Sequence, residues 1–224
     1  MVLWDMFSFL KVLFQIRSTY VLLLLSLFSI SLSIGRVIGT HNEFYLFLYW
    51  NLFLAFIPWV VASFIYSRKS KNVFSLVLLI LVWLLFFPNA PYLMTDLLHL
   101  GKGTAIPLWY DLILLLSYSF TGMLFGFTSL NMIEEKLKAL TKLKIYGVIS
   151  AFLIYLSCFG IYLGRFLRWN SWDLLTNMRS LISDVSDMIV SPFDYPATWE
   201  FTFLFGTLLN VMYLGYKEFG VRKG

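Results

Sequence analysis

Cysteine and charge are scarce in this chain of 224 residues. The single cysteine, Cys158, excludes an intrachain disulfide framework and any multi-cysteine metal centre. Charged residues make up 13% of the chain, about half the share usual in soluble domains. The sequence has no Gly-rich phosphate loop, no Gly-x-Ser-x-Gly and no His-Glu-x-x-His. Nucleotide use and those hydrolase classes therefore lack support. No Ala-x-Ala follows the first apolar run, and residues 1–17 are too long and apolar for the basic head of a signal peptide, so no cleavable leader is expected.

Apolar and aromatic residues fill the chain instead. They make up 60% of it, with 23 Phe, 13 Tyr and 8 Trp, and the mean hydropathy is +0.80. A water-soluble domain of this size cannot hide so much apolar surface, and a disordered chain is poor in aromatics. The composition is that of a polytopic membrane protein in a lipid bilayer. Continuous Leu/Phe/Ile runs favour helices over the alternating strands of a barrel. Crossing the hydrocarbon takes about 20 apolar residues. Six stretches are expected to span: 18–34, 44–66, 73–87, 107–130, 145–164 and 199–216. The fold class expected is thus all-α, a helix bundle forming one membrane domain over 1–224. Residues 4–14 have the spacing of an amphipathic helix at the inner leaflet.

With the N-terminus inside, the inner segments carry twelve basic and four acidic residues, and the outer segments five and eight. The positive-inside rule then places both termini in the cytoplasm. The net charge of +5 reads as topology, and no nucleic-acid partner is expected.

Charges beside a span need a partner or a purpose, and the unusual polar residues all fall on the expected outer side. Pro88-Asn89-Ala90-Pro91 interrupts the third span, whose expected length of about 22 Å is short for a full crossing. A broken helix frees backbone groups that face protein or a wet cavity, so Asn89 is a candidate lining residue; the alternative is that the span ends at the interface. Asp96 and His99, three residues apart, share a helical face and suit acid–base work. Two ligands are too few for zinc, and no metal or cofactor is assigned. Asp111 follows Pro107 in a helical first turn, where the dipole favours an acid. Arg36 or Arg165 is a sensible partner for it.

Arg165 and Arg168 share a face beside Trp169, Trp172 and Asp173. Two guanidinium groups suit a phosphate or carboxylate headgroup, though arginines snorkelling in an aromatic belt have the same pattern. Residues 172–190 form an apolar stripe through Leu181, Val185 and Met188, opposite Arg179, Asp184 and Asp187. An amphipathic helix at the outer interface is expected there, with Ser171 as its cap. Gly122-x-x-x-Gly126, Gly160-x-x-x-Gly164 and the Ser26/Ser29/Ser33 face mark close helix packing.

Residues 87–100, FPNAPYLMTDLLHL, resemble the signature of an uncharacterised bacterial family called domain of unknown function 1361. Trp109-Tyr110-Asp111 and residues 162–173, YLGRFLRWNSWD, resemble its other blocks. The resemblance implies a bacterial integral membrane protein and no activity. The expectation is a plasma-membrane protein with an outward-facing polar site for an anionic lipid or envelope precursor. Arg165, Arg168, Asn89, Asp173 and Arg36 would bind it, while Asp96, His99 and Asp111 would position the arginines or act as acid–base groups. The alternatives are a structural partner of envelope machinery or a small-solute transporter. The oligomeric state is not legible.

Overall fold

A computed structural model describes residues 17–68, 72–102, 106–140, 145–169 and 173–220. Every element among them is helical. The N-terminal amphipathic helix and the Ser171 cap fall outside these residues. The chain divides into two compact units, Met1–Lys142 and Leu143–Gly224.

The first unit holds α1 (Arg17–Thr40), α2 (Phe47–Ser67), α3 (Val73–Phe86), α4 (Asn89–Tyr92), a 3-10 segment (Leu93–His99) and α5 (Leu108–Leu140). The hub is α5, against which α1, α2, α4 and the 3-10 segment all pack. Its polar side chains make that packing specific. Ser33 Oγ meets the Tyr118 hydroxyl at 2.9 Å, and Ser29 Oγ lies 3.4 Å from Thr121 Oγ1. Tyr110 donates to the Leu32 carbonyl at 2.8 Å and lies over Gly35. The serine face of α1 is therefore its contact with α5. Ser29 and Thr121 also bond to their own helix backbones, which satisfies hydroxyls that lipid cannot.

Helical structure continues through the prolines. Asn72 caps α3 by accepting from the Ser75 amide. Phe87 and Pro88 keep right-handed helical dihedrals, and the helical run from Val73 reaches His99, 27 residues in all. Pro88 and Pro91 each remove an amide donor. The Phe87 carbonyl, four residues before Pro91, accepts instead from the Ala90 amide at 3.2 Å; Asn89 Nδ2 donates to the neighbouring Phe86 carbonyl at 3.0 Å, and Ser119 Oγ ties the segment to α5 by donating to the Leu93 carbonyl at 2.9 Å. The run thus stays helical past residue 87, where the sequence suggested a stop or a kink.

Gly122 and Gly126 let this segment approach α5. A Cβ on Gly122 would collide with the Ala90 carbonyl oxygen and come within 2.6 Å of Leu93 Cδ1; one on Gly126 would meet Ala90 Cβ at 3.3 Å.

The second unit holds α6 (Tyr146–Phe166), α7 (Asp173–Thr176), α8 (Met178–Val190), a 3-10 turn (Pro192–Asp194) and α9 (Pro196–Gly220). Helices α6 and α9 pack together, with the Tyr155 ring over Gly206 and its hydroxyl 3.0 Å from Thr207 Oγ1. The expected amphipathic helix is divided at Asn177, whose backbone (φ −140°, ψ 42°) is not helical. Met188 is buried, while Ile182 and Ile189 are exposed.

Among the described residues, five helical segments are long and apolar enough to cross a membrane: Thr19–Thr40, Phe47–Ser67, Val73–His99, Leu108–Leu140 and Tyr146–Phe166. The chain therefore has the make-up of a multi-pass membrane protein. The sixth expected span lies within α9, where Glu200 and Asn210 lower the hydropathy, and α9 is not among these five.

The glycine packing yields a graded expectation. Gly122→Ala should destabilise the protein by about 1–3 kcal/mol, the usual scale of overpacking. Gly126→Ala should destabilise it less, because its nearest neighbour is the Ala90 methyl group at 3.3 Å, a tight contact that a shift of a few tenths of an ångström relieves. Equilibrium unfolding in mixed micelles would read both, and equal effects would contradict the packing described.

Candidate functional site

The first unit holds a polar cluster around the C-terminal end of α1 and the N-terminal end of α5. Local chemistry places its members. Helix α1 ends at His41, which takes a left-handed φ of 52° while its amide bonds to the Val37 carbonyl at 2.8 Å. Asn42 Oδ1 then accepts from the Phe44 amide at 2.7 Å, an Asx turn that leads into Tyr45. Across from it, Pro107 leads into α5, and Asp111 sits in the first turn, where unpaired amides favour a carboxylate.

Arg36 and Asp111 meet here. Arg36 Nε donates to Asp111 Oδ1 at 2.7 Å, and Nη2 donates to Oδ2 at 3.4 Å. Nη1 donates to the Asn42 carbonyl at 3.4 Å. The guanidinium carbon lies 4.5 Å from the centre of the Tyr45 ring. Arg36 is 1% exposed and Asp111 0%, so each charge depends on the other for compensation. The Tyr45 hydroxyl donates to the His99 carbonyl at 2.9 Å. Burial raises the Tyr45 phenol above its ordinary value, and the Asp111 charge adds to the rise, so it remains a donor at neutral pH.

Asp96 and His99 lie on the 3-10 segment, where residues three apart eclipse. Asp96 is fully buried and accepts from Asn51 Nδ2 at 2.9 Å. His99 is half-buried between the edges of Phe44 and Phe47, with Nδ1 3.4 Å from the Lys102 amine. Asn89 turns back to its own helix, as described above. Arg36, Asp111, Asp96 and His99 thus occupy one neighbourhood of the first unit.

The sequence reading missed Tyr45 and Asn51, which tie this cluster together. Asn51 carried a usable signal, being a lone amide in the apolar run 46–57. Tyr45 carried none, since aromatics are everywhere in the chain. Burial of Glu134 at the far end of α5, beside Lys138 at 2.6 Å, was also missed. That end is therefore not lined by surface charges alone.

Arg165, Arg168 and Asp173 belong to the second unit. Arg165 is half-buried in the last turn of α6. Arg168 is exposed and takes a left-handed φ of 64°, the conformation that ends a helix and that glycine adopts most easily. The Trp169 amide returns to the Leu163 carbonyl at 3.1 Å, and its indole donates to Asp184 Oδ2 at 2.9 Å. Asp173 opens α7 and accepts from the Thr176 hydroxyl at 3.3 Å.

The profile of a family described as "Protein of unknown function (DUF1361)" matches residues 50–212. The chain belongs to that family. The matched stretch contains Asn51, Asn89, Asp96, His99, Asp111, Arg165, Arg168 and Asp173; Arg36 and Tyr45 precede it. No curated protein and no solved structure matches the chain.

The buried pair predicts a strongly non-additive mutant cycle. Arg36→Met or Asp111→Leu alone should destabilise by about 3–5 kcal/mol, because each leaves an uncompensated buried charge. The double variant should recover most of that loss. Unfolding midpoints of the three variants would check this, and additive losses would show that the pair is not coupled.

Proposed function

We propose that this member of the family binds an anionic lipid or envelope headgroup at its outward face, with Arg165 and Arg168 as the anion-binding residues. The backbone of Arg168 carries the reading. A non-glycine residue in the left-handed region is strained by roughly 1–2 kcal/mol, and such strain clusters at ligand clamps. Here it presents a guanidinium at a helix end next to Trp169, where glycine would be easier to accommodate. A bidentate donor fork suits phosphate or carboxylate oxygens. In the first unit, the Arg36–Asp111 pair holds the framework, and His99 is the half-open group suited to exchanging a proton.

A second reading is a non-enzymatic structural partner of envelope machinery. One observation favours it: Arg36 is fully buried and occupied with Asp111. The transporter reading gains no such support.

The proposed topology has six spans, a bacterial plasma membrane and both termini in the cytoplasm. Helix α9 has 25 residues, about 37 Å of helix, and exposes Phe203, Leu204, Leu208, Val211 and Leu214. Both properties suit a lipid-facing crossing.

Native mass spectrometry of the solubilised protein tests the headgroup site. Arg165→Ala and Arg168→Gly should each lose a bound anionic lipid that the wild type retains. Arg168→Gly should unfold no earlier than the wild type, since glycine relieves the strained φ; the loss then reports the guanidinium rather than the fold. An identical lipid complement in all three proteins would overturn the reading. For topology, green fluorescent protein fused to the C-terminus should fluoresce, while alkaline phosphatase there should be inactive. The reverse result would place the C-terminus outside and overturn this topology.

A further inference from the structure

Helix α5 carries charge at both ends. Asp111 lies in its first turn, and Lys136 follows about 37 Å further along the helix. That separation exceeds the roughly 30 Å of hydrocarbon in a bilayer, so the two residues reach opposite headgroup layers. At the Lys136 end stands Arg68, the residue that ends α2. Lys136 Nζ donates to the Arg68 carbonyl. Arg68 Nη1 donates to Ser75 Oγ of α3 at 2.8 Å, and the guanidinium carbon lies 5.3 Å from the centre of the Phe64 ring. Three helices thus hold two cations at one corner of the first unit, close enough for their charges to repel. Both side chains are half-buried, so both remain within reach of a ligand.

The acids of this end are engaged elsewhere. Glu134 pairs with Lys138 at 2.6 Å. Glu135 accepts from Asn131 Nδ2 at 3.4 Å and faces the Tyr66 hydroxyl. Among the described residues, the side chains of Arg68 and Lys136 meet only a hydroxyl, a ring and a carbonyl, and neither forms an ion pair. Arg68 Nε and Nη2 and most of the Lys136 ammonium therefore remain as donors. Arg36 is the contrast, since Asp111 compensates it. Two like charges partly withdrawn from water repel strongly until an anion joins them. Their level names its class, because phosphate is the common anion of a headgroup layer. An arginine fork takes two phosphate oxygens, and a lysine beside it serves as a point charge.

We propose that Arg68 and Lys136 form a binding site for a phosphate group, carried by an anionic lipid or free in solution. The guanidinium takes two phosphate oxygens through Nε and Nη2, and the Lys136 ammonium meets a third. The Phe64 ring and the Ser75 hydroxyl orient the fork. The site lies in the first unit and shares no residue with Arg165 and Arg168 of the second.

Native mass spectrometry of the full chain tests this, with phosphatidylglycerol, phosphatidylcholine and inorganic phosphate as probes. The Arg165→Ala/Arg168→Gly double variant serves as the background, so that anion binding reports this site and not the other. Phosphatidylglycerol retained in excess inorganic phosphate assigns a lipid headgroup; phosphate bound in its place assigns a free anion. Phosphatidylcholine should bind more weakly, because its own ammonium repels the two cations. Arg68→Gln and Lys136→Gln each remove a charge but keep a donor for Ser75 or for the Arg68 carbonyl. Each should weaken binding of the retained probe about tenfold, the scale of one hydrogen bond to a charged group. Neither should lower the unfolding midpoint in phosphate-free micelles, whereas a merely structural role predicts a lower midpoint and unchanged binding. If neither variant folds, acetylation of wild-type Lys136 carries the test: phosphatidylglycerol or phosphate should slow it and leave Lys138 unaffected. No preference among the probes, unchanged binding in a folded variant, or equal acetylation rates would overturn the proposal.

Discussion

A charge in a low-dielectric core must be neutralised where it stands, and the first unit is organised around that constraint. Arg36 lies near the C-terminal end of α1 and Asp111 in the first turn of α5, and neither is accessible to solvent. Their hydrogen bonds hold those two helix ends at one level. The Tyr45 ring covers the guanidinium, and its hydroxyl holds the end of the 3-10 segment through the His99 carbonyl. One ion pair thereby links α1, the turn before α2, the 3-10 segment and α5. Buried pairs of this kind add little net stability over apolar packing, but they fix which arrangement forms. Here the arrangement fixed is the relative level of four elements at one end of the unit.

Backbone satisfaction explains the proline-rich segment. Lipid offers no hydrogen bonds, so each carbonyl that Pro88 and Pro91 leave without its amide needs another donor or a tighter helical geometry. The Phe87 carbonyl, which Pro91 cannot serve, takes the Ala90 amide in a tighter turn; Asn89 and Ser119 donate to the nearby Phe86 and Leu93 carbonyls, and the chain then winds as a 3-10 helix to His99. Tight winding then brings Asp96 and His99 into register. Gly122 provides the space in which Ala90 and Leu93 approach α5. The signature residues 87–100 thus have a structural use before any chemical one.

The second unit presents a different balance. Its polar residues gather after a helix end, and that end is formed by an arginine in a conformation suited to glycine. The indole of Trp169 bonds to Asp184 and ties this turn to α8. The strain at Arg168 is local and leaves α6 regular as far as Phe166. An exposed cation at a strained helix end and a cation buried in a core are different devices, which is why the two arginine groups support different functional readings.

Much of the helical character was legible from composition, because a chain with this much Leu, Phe and Ile and this little charge can satisfy its backbone in lipid only by coiling. The family was legible from three contiguous motifs. The partnership of Arg36 with Asp111 was legible as one of two options, since charge placement alone left Arg165 equally eligible. Asn89 was read as a pocket residue, yet its amide bonds to its own helix, a choice set by a carbonyl that no sequence pattern displays. The roles of Tyr45 and Asn51, the continuation of helix through Pro88 and the division at Asn177 depended on which atoms met across 40 to 70 residues of chain or within a single turn. Local sequence determined that this protein is a set of membrane-compatible helices with polar residues at particular ends. Only tertiary packing decided which charges were neutralised and which donors stayed unpaired, because hydrogen-bond partners in a dry core are set by geometry and not by proximity in the chain.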